Sequence, residues 1–408
     1  MNHLLADRIS ALQSSATIEM HQKATDLRAQ GHDVINLSVG EPDFATPLPI
    51  QQAAKQAIDA GIYFSYAPVA GYADLRAAIA DKLRRENNIR CDPSQVVVSN
   101  GAKQAIANVF SCLLNPGDEV VVYTPYWVSY VAIIQCAGGK PVLVRGKLSD
   151  NFEVTPDQLN QAITPRTKAV IFSSPCNPTG HIFPKHALKA MARVLEKHPH
   201  VLVIADEIYE YINFIGEHTS IGALPGMQDR VITINGFSKG FAMTGWRVGY
   251  MAAPVWLAKA CEKIQGQTTG APSSVAQRAA LAAIQGEREN VQLMVDAYRR
   301  RLNLCLGLLR DIPGIRSNTP SGAFFLFPDV SDYLGRTDGQ TTIHSVDTLC
   351  EYLLQEAHVS LVTGSAFGAP DCVRISYAAD EGRLRTALQR IKIALAKLEV
   401  ITKRLPSS

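Results

Sequence analysis

The sequence predicts an α/β fold, in which a mainly parallel sheet is covered by helices, followed by a smaller α+β part. Three observations support this. Short apolar β-rich runs alternate with helix-like segments over the first two thirds of the chain. The runs are almost continuously apolar, as is typical of parallel strands buried on both faces. After Pro272 the sequence pattern changes, and two long helical segments are followed by a few short strands.

The strand predictions follow in chain order. Runs rich in β-branched residues predict seven strands in QVVVSN, DEVVVYTP, KPVLVRG, KAVIFSSP, VLVIADEIY, RVITINGFS and RVGYMAAP. Helices are predicted between several of them, in IQQAAKQAIDAG, AKQAIANVFSCLL and PKHALKAMARVLEKH. Beyond Pro272 we expect two helices between residues 273 and 311, strands in GAFFLFPDV, VSLVTGSAFG and CVRISYA, and a last helix from about Asp380 to Leu398.

Bulk properties exclude several classes of function. The formal net charge of +3 over 408 residues is too small for the electrostatic footprint of a nucleic-acid-binding protein. No apolar stretch reaches the roughly 20 residues that span a bilayer, and the N-terminus lacks a signal-peptide core. We therefore expect a cytoplasmic protein with neither nucleic-acid nor membrane partners.

The cysteines indicate reduced thiols rather than a disulfide framework or a zinc site. No CxxC pair occurs, so we interpret most of them as small buried apolar side chains and expect no metal. The eight are Cys91, Cys112, Cys136, Cys176, Cys261, Cys305, Cys350 and Cys372.

Candidate site residues follow the predicted strands, because ligands of such sheets bind at the carboxyl ends of the strands. Asn100, Gly101, Ala102 and Lys103 precede a helix whose free N–H groups suit a phosphate, although a plain strand–helix turn explains them equally well. Trp127 follows the next strand and is, taken alone, more typical of a core or rim aromatic.

Three further strand ends carry polar side chains. Asn177 lies in the turn sequence NPTG and could simply hold that turn. Asp206 ends an apolar strand, where a carboxylate needs a partner, and Tyr209 follows it. Arg374 lies inside the predicted buried strand CVRISYA, so its guanidinium needs an anion, either a carboxylate or a ligand.

Lys239 is the central candidate. It lies in INGFSKGFAMTGWRVGY, and it is either a surface ammonium or a reactive amine that burial makes nucleophilic. Ser238 and Arg247 supply a hydroxyl and a guanidinium suited to a phosphate monoester. An amine for a Schiff base, phosphate donors, an aromatic ring and a remote arginine together fit pyridoxal 5′-phosphate and an amino acid.

The chain resembles the class I (fold type I) aminotransferases, especially the prokaryotic-type aspartate aminotransferases and the enzymes that accept prephenate. The resemblance extends over nearly the whole chain through LSVGEPDF, YFSYAPVAGYADLR, SNGAKQA, PYWVSY, SPCNPTG, ADEIYE, NGFSKGFAMTGWRVGY, SGAFFLF and CVRISYA. It implies a large domain with a seven-stranded sheet at 47–290, and a small domain at 291–408 that includes the N-terminal segment 1–46.

The resemblance also implies the roles of the site residues. Lys239 would form the Schiff base and shuttle protons, Asp206 would keep the pyridine nitrogen protonated, and Tyr209 and Asn177 would bind the phenolic oxygen. Trp127 would stack on the ring, and Arg374 would bind the substrate α-carboxylate with Asn177 and the Gly40 backbone. The expected phosphate ligands are Gly101, Ala102, Ser238, Arg247 and, from the neighbouring subunit of a homodimer, Tyr66.

Substrate choice depends on two further residues. The resemblance implies that Lys103, which we also expect near the cofactor, and Thr17 bind the second carboxylate, although Lys103 could equally be a solvated lysine in the first turn of a helix. We expect amino transfer between aspartate or glutamate and 2-oxoglutarate or oxaloacetate, with prephenate as a further acceptor.

Three alternatives stay open at this point. One is a different reaction of the same cofactor, such as that of a β-lyase or a ring-forming synthase, or amino transfer with aromatic or broad substrate specificity. The second is a regulator, which would need a DNA-binding domain before residue 40. The third is an α/β nucleotide-binding protein, for which neither GxGxxG nor a Walker A sequence is present.

Overall fold

The computed structural model describes residues 4–10, 12, 14–216 and 218–400. Its helices are α1 (Asp7–Ser10), α2 (Ala16–Ala29), α3 (Leu48–Asp59), α4 (Ala73–Asn87), α5 (Ala102–Leu113), α6 (Ser129–Cys136), α7 (Pro156–Ala162), α8 (Lys185–Glu196), α9 (Val255–Thr268), α10 (Ser274–Gln285), α11 (Glu289–Arg310), α12 (Val346–Glu356) and α13 (Glu381–Ala396). No helix within these ranges is both long enough and apolar enough to cross a bilayer.

The strands form one large sheet and three small ones. They are β1 (Ile35–Asn36), β2 (Val96–Ser99), β3 (Glu119–Thr124), β4 (Lys140–Arg145), β5 (Thr167–Ser173), β6 (Leu202–Asp206), β7 (Val231–Gly236), β8 (Gly249–Ala252), β9 (Phe325–Leu326), β10 (Arg336–Thr337), β11 (Val359–Ser360), β12 (Val362–Thr363), β13 (Val373–Ser376) and β14 (Glu399–Val400). The large sheet has the order β2-β8-β7-β6-β5-β3-β4, and β8 alone runs against the other six strands.

The predicted class and the seven strands of the large sheet are confirmed. Burial on both faces explains the continuous apolar runs. In β3, Val120 and Val122 pack into the core on one face, whereas Val121 and Tyr123 pack into a separate core on the other. Successive strand side chains point to opposite faces, so both faces must be apolar when helices cover both.

The rest of the chain forms a second layer around α11, α12 and α13. Its three-stranded antiparallel sheet has the order β12-β13-β9, and β1 pairs in parallel with β11. The N-terminal segment therefore packs with the C-terminal part, while the domain boundaries at 46/47 and 290/291 stay predictions. The strands in GAFFLFPDV and VSLVTGSAFG are shorter than expected. The two-residue β9 is followed after Phe327 by Pro328, which has no N–H to donate to a neighbouring strand. A 3-10 turn that begins at Gly364 ends β12.

Candidate active site

A cavity of about 680 Å³ lies at the carboxyl ends of the large-sheet strands and reaches β13 of the second layer. Twelve of the fourteen predicted site residues line it: Thr17, Gly40, Ala102, Lys103, Trp127, Asn177, Asp206, Tyr209, Ser238, Lys239, Arg247 and Arg374. Gly101 adjoins it as the residue before α5. Tyr66 lies outside it and is fully exposed in the single chain.

One end of the cavity is built to hold an anion. Gly101 has φ +81° and precedes α5, whose first two residues, Ala102 and Lys103, line the cavity. The N–H groups of these two residues have no intrahelical partner, because they lie in the first turn of the helix. Arg247 packs against Gly101 so closely that a Cβ there would collide with the guanidinium. Its Nη1 donates to Thr244 O at 3.0 Å and its Nη2 to Asn100 O at 3.2 Å. Ser238 adds a hydroxyl to the same wall.

Lys239 lies between this end and the second layer. Its Nζ donates to Gly40 O at 2.5 Å and lies 5.8 Å from the centre of the Tyr209 ring. Burial lowers the pKa of Lys239 to about 8, against the opposing charge of Glu41 and with help from Arg374 and Arg247. Lys239 therefore lies partly buried in the cavity wall rather than as a solvated ammonium on the outer surface.

Asp206 faces Lys239 from the end of β6. Its Oδ2 accepts a hydrogen bond from the Tyr130 hydroxyl at 2.6 Å, and its Oδ1 accepts one from Ile208 N at 3.3 Å. Burial raises the pKa of Asp206 to about 6, although the bond from Tyr130 opposes that rise. A buried carboxylate in this position suits a cationic nitrogen of a ligand.

Arg374 forms the far wall of the cavity and is 2% exposed. Its Nη1 donates to Asn177 Oδ1 at 3.1 Å, its Nη2 donates to Ser38 O at 2.5 Å, and its Nε has no partner among the described residues. The guanidinium carbon lies 4.6 Å from the centre of the Phe325 ring. Burial lowers the pKa of Arg374 to about 10, so this cation lies in a site from which water is largely excluded.

Lys103, Thr17 and Trp127 also line the cavity. The Lys103 Nζ is 5.1 Å from the centre of the Trp127 ring. Burial, and then the charge of Arg247, lower the pKa of Lys103. The Thr17 hydroxyl on α2 is buried without a hydrogen-bond partner in the described part of the chain. A cation and a hydroxyl without a partner in one cavity can bind a further anionic group.

The cavity carries a marked excess of positive charge. Lys103, Lys239, Arg247 and Arg374 all line it, and none of them forms an ion pair among the residues that the structure describes. The carboxylates on the wall are Asp206 and Glu41. Arg374 is buried and Lys239 is partly buried, whereas Lys103 and Arg247 are exposed. Cations without counterions that line one cavity favour the binding of anionic ligands.

Sequence reasoning assigned no role to three residues in or next to the cavity wall. Tyr130 bonds Asp206, and Glu41 and His21 line the cavity. Tyr130 is the last residue of the quoted PYWVSY and Glu41 lies in LSVGEPDF, but neither has a local pattern that indicates which way its side chain points.

Comparisons with known proteins agree on one family. The family model described as aminotransferase class I and II matches residues 32–391. An aspartate aminotransferase of Geobacillus stearothermophilus is 45% identical over 95% of this chain and 98% of its own length. An aspartate/prephenate aminotransferase of Cereibacter sphaeroides is 43% identical over 97% of this chain and 99% of its own. The solved aspartate aminotransferase of Thermus thermophilus with maleate superposes with a TM-score of 0.90, at 41% identity over 96% of this chain and 99% of that one.

Proposed function

The chain belongs to the class I and II aminotransferases, and on that basis we propose that it uses pyridoxal 5′-phosphate to transfer the amino group of L-aspartate or L-glutamate to 2-oxoglutarate or oxaloacetate. The fold is that of the fold type I enzymes, as the likeness to the Thermus structure shows. Prephenate is a further proposed acceptor, because a relative is named for it.

One observation carries the proposal: unpaired cations converge from both ends of a cavity on a central lysine and a buried carboxylate. The cofactor combines a phosphate, an aldehyde and a pyridine nitrogen. Arg247, Ser238 and the α5 N-terminus would hold the phosphate, and Asp206 would hold the protonated nitrogen. The cofactor supplies a carbonyl carbon that accepts the amino group and a ring that withdraws electrons from the substrate.

The protein's own groups handle the protons. With a pKa of about 8, Lys239 has enough neutral amine to take the proton from the substrate Cα and enough ammonium to return one. Asp206 would keep a proton on the pyridine nitrogen, because a buried carboxylate stabilises a cation next to it. Tyr209 and Asn177 would bind the phenolic oxygen, and the Trp127 ring would lie against the cofactor ring.

Substrate recognition uses the remaining cations. Arg374 would bind the α-carboxylate as a bidentate pair, because Asn177 and Ser38 already fix the plane of its guanidinium. Lys103 and Thr17 would bind the second carboxylate of a dicarboxylic substrate. The relatives named for aspartate and the Thermus structure with the dicarboxylate maleate support this choice.

We also propose that the active unit is a homodimer. Tyr66 is fully exposed in the single chain, and Ile62 and Phe64 next to it are also largely exposed. Aromatic and branched apolar side chains grouped in one exposed segment are typical of an interface. A second copy would cover this segment, and its Tyr66 would reach the phosphate.

Visible absorption spectra test the proposal. Purified protein supplied with pyridoxal 5′-phosphate should show a yellow band that bleaches with aspartate or glutamate and returns with oxaloacetate or 2-oxoglutarate. No band even with added cofactor would refute the cofactor, and bleaching by apolar or aromatic amino acids alone would refute the dicarboxylic substrate. Release of pyruvate without a keto acid would indicate the β-lyase instead.

A further inference from the structure

Tyr130 occupies a position that the proposed roles leave unexplained. It is the second residue of α6, it is 1% exposed, and its hydroxyl bonds to the Oδ2 of Asp206 at 2.6 Å. Within the described residues, the other donor to this carboxylate is the Ile208 N–H, at a longer 3.3 Å. Tyr130 is therefore the only side chain there that donates a hydrogen bond to Asp206.

This hydrogen bond affects the charge of Asp206. Burial favours the neutral acid and raises its pKa to about 6, whereas the bond from Tyr130 lowers that pKa. A short O–H···O⁻ bond is charge-assisted and stabilises the ionised form of the acceptor. The proton stays on the donor, because burial, followed by the charge of Asp206, raises the pKa of Tyr130 well above its usual value.

The ring of Tyr130 has a second contact with the cavity wall. It meets the Trp127 ring at nearly a right angle, 83°, with the ring centres 5.4 Å apart. Edge-to-face contact at this distance is favourable and fixes the plane of both rings. Trp127 in turn lines the cavity and lies under the Lys103 ammonium.

We propose that Tyr130 is a positioning residue with two separable parts. Its hydroxyl keeps Asp206 ionised and directed into the cavity, and its ring holds the plane of Trp127. This inference rests on the proposed cofactor chemistry but goes beyond it, because Tyr130 acts through Asp206 and Trp127 and does not line the cavity.

A double-mutant cycle with Asp206 tests the hydroxyl. A hydrogen bond to a charged group contributes about 1.5 to 3 kcal/mol, so Y130F should weaken cofactor binding and lower kcat by roughly 10- to 100-fold, with KM for the amino donor changed less than about 3-fold. In a D206N background the same substitution should change either quantity less than about 3-fold. Cofactor affinity is measured by fluorescence titration of cofactor-free protein, independently of turnover.

Two further variants isolate the contributions of the ring and of general packing. Tyr130→Leu also removes the ring, so it should bind the cofactor more weakly than Y130F does. This additional loss of cofactor affinity should persist in a D206N background. Tyr352→Phe is the matched control, since it removes another buried hydroxyl, which bonds to Ala394 O at 3.2 Å outside the cavity. It should leave cofactor affinity and kcat unchanged.

The outcomes separate this inference from the proposed function. Equal losses in both backgrounds, or wild-type affinity in Y130F, would overturn the role of the hydroxyl. If Y130F does not fold, the comparison of D206N with D206N/Y130F decides, because a further loss in the double variant would overturn the role. A wild-type protein that binds no cofactor would defeat the proposed function, and this inference with it.

Discussion

Asp206 and Glu207 are neighbours in the chain and both are buried, yet they belong to opposite kinds of polar region. Asp206 faces the cavity. Glu207 points into a closed network on the other side, where its Oε2 accepts from the Ser220 hydroxyl at 2.7 Å and lies 3.2 Å from His218 Nε2. In the same network Lys82, 1% exposed, pairs with Glu210 and donates to Asn87 Oδ1 at 2.7 Å.

The two regions differ in how their charges are compensated. In the closed network, although burial opposes the change, Lys82 lowers the pKa of Glu210. Burial likewise opposes a rise in the pKa of His218, but Glu207 still raises it. Partners thus favour the charged forms there. In the cavity burial dominates, lowering the pKa of Lys239 and raising that of Asp206. Removing one partner of a buried ion pair destabilises a fold, whereas buried charges without a partner are frequent at ligand-binding sites.

Three residues of the closed network are arranged as potential metal ligands. Glu207, Glu210 and His218 place potential ligand atoms within 4.8 Å of one another. The Lys82 ammonium already contacts Glu210 and supplies the cation that these carboxylates need. The group is therefore explained as an ionic network of the fold.

Removing Lys239 gives the largest expected effect and separates the two regions most sharply. Lys239→Ala should reduce amino transfer to background, because no other amine can replace it as nucleophile and proton carrier. Its fold should persist, since the substitution removes a partly buried cation that forms no ion pair among the described residues. Turnover and thermal melting are measured together, and near-normal turnover would refute the assignment.

Asp206→Asn should lower kcat by about a thousandfold, or roughly 4 kcal/mol in the barrier, because a neutral amide cannot stabilise a pyridinium. The matched control is Glu207→Gln, which changes the adjacent carboxylate in the closed network. We expect that control to lose stability and keep its kcat once folded. Steady-state kinetics and denaturant unfolding of both variants measure the contrast, which equal kcat losses would contradict.

The converse experiment breaks the closed network. Lys82→Met should destabilise the fold by about 3 to 5 kcal/mol, because it leaves Glu210 buried and uncompensated. Adding Glu210→Leu should restore much of this loss, since both charges are then gone. Urea unfolding measures the three proteins, and a Lys82→Met variant as stable as the wild type would contradict the distinction.

The pH dependence of cofactor-free protein should show the cost of the unpaired cavity charges. The pKa of Lys239 falls from 10.5 to about 8 on folding. The charged amine therefore destabilises the fold by its full amount below pH 8, and this destabilisation decreases as the pH rises towards 10.5. The pKa of Asp206 rises from 3.8 to about 6 on folding. The buried carboxylate therefore does not destabilise the fold below pH 3.8, and its destabilising effect grows between pH 3.8 and pH 6. Lys239→Met should therefore stabilise the cofactor-free protein at pH 7 by up to about 3 kcal/mol.

Denaturant unfolding at several pH values measures this effect. The gain in Lys239→Met should shrink above pH 8, and Asp206→Asn should stabilise between pH 6 and 8 but not near pH 4. An increase in the free energy of unfolding that does not change with pH would instead show that the substitutions act through side-chain packing.

The smallest effect concerns specificity within the cavity. Lys103→Ala should cost about tenfold in kcat/KM for dicarboxylic substrates, or roughly 1.4 kcal/mol, and less for apolar amino acids. The Lys103 ammonium lies 5.1 Å from the centre of the Trp127 ring, where it could bind a second carboxylate. Equal losses with both substrate classes would reduce Lys103 to a contact of the cofactor or the fold.

The sequence predicted the strands of the large sheet and most of its strand-end residues, because apolar runs and the polar residues after them are local signals. Lys239, Asp206 and Arg374 are examples, and the structure brings them together from three separate strands or strand ends. The sequence could not predict the order β2-β8-β7-β6-β5-β3-β4, which depends on contacts far apart in the chain.

Side-chain direction was the other limit. Nothing local in ADEIYE indicates that Asp206 faces a cavity while Glu207 faces Lys82 and its partners, since a turn follows β6 at this point. The role of Tyr130 was missed for the same reason, because its partner is 76 positions away in the chain. The position of Tyr66 stays a prediction, since its proposed contact belongs to a second copy.

The wide separation of Gly40 and Arg374 along the chain has a consequence during synthesis. The ribosome makes a chain from its N-terminus at about 5 to 20 residues per second, so Gly40 emerges on the order of half a minute before Arg374. Until then the cavity lacks its far wall, and Lys239 has no second layer closing over it. A nascent chain therefore has no complete cavity until β13 has been translated and docked.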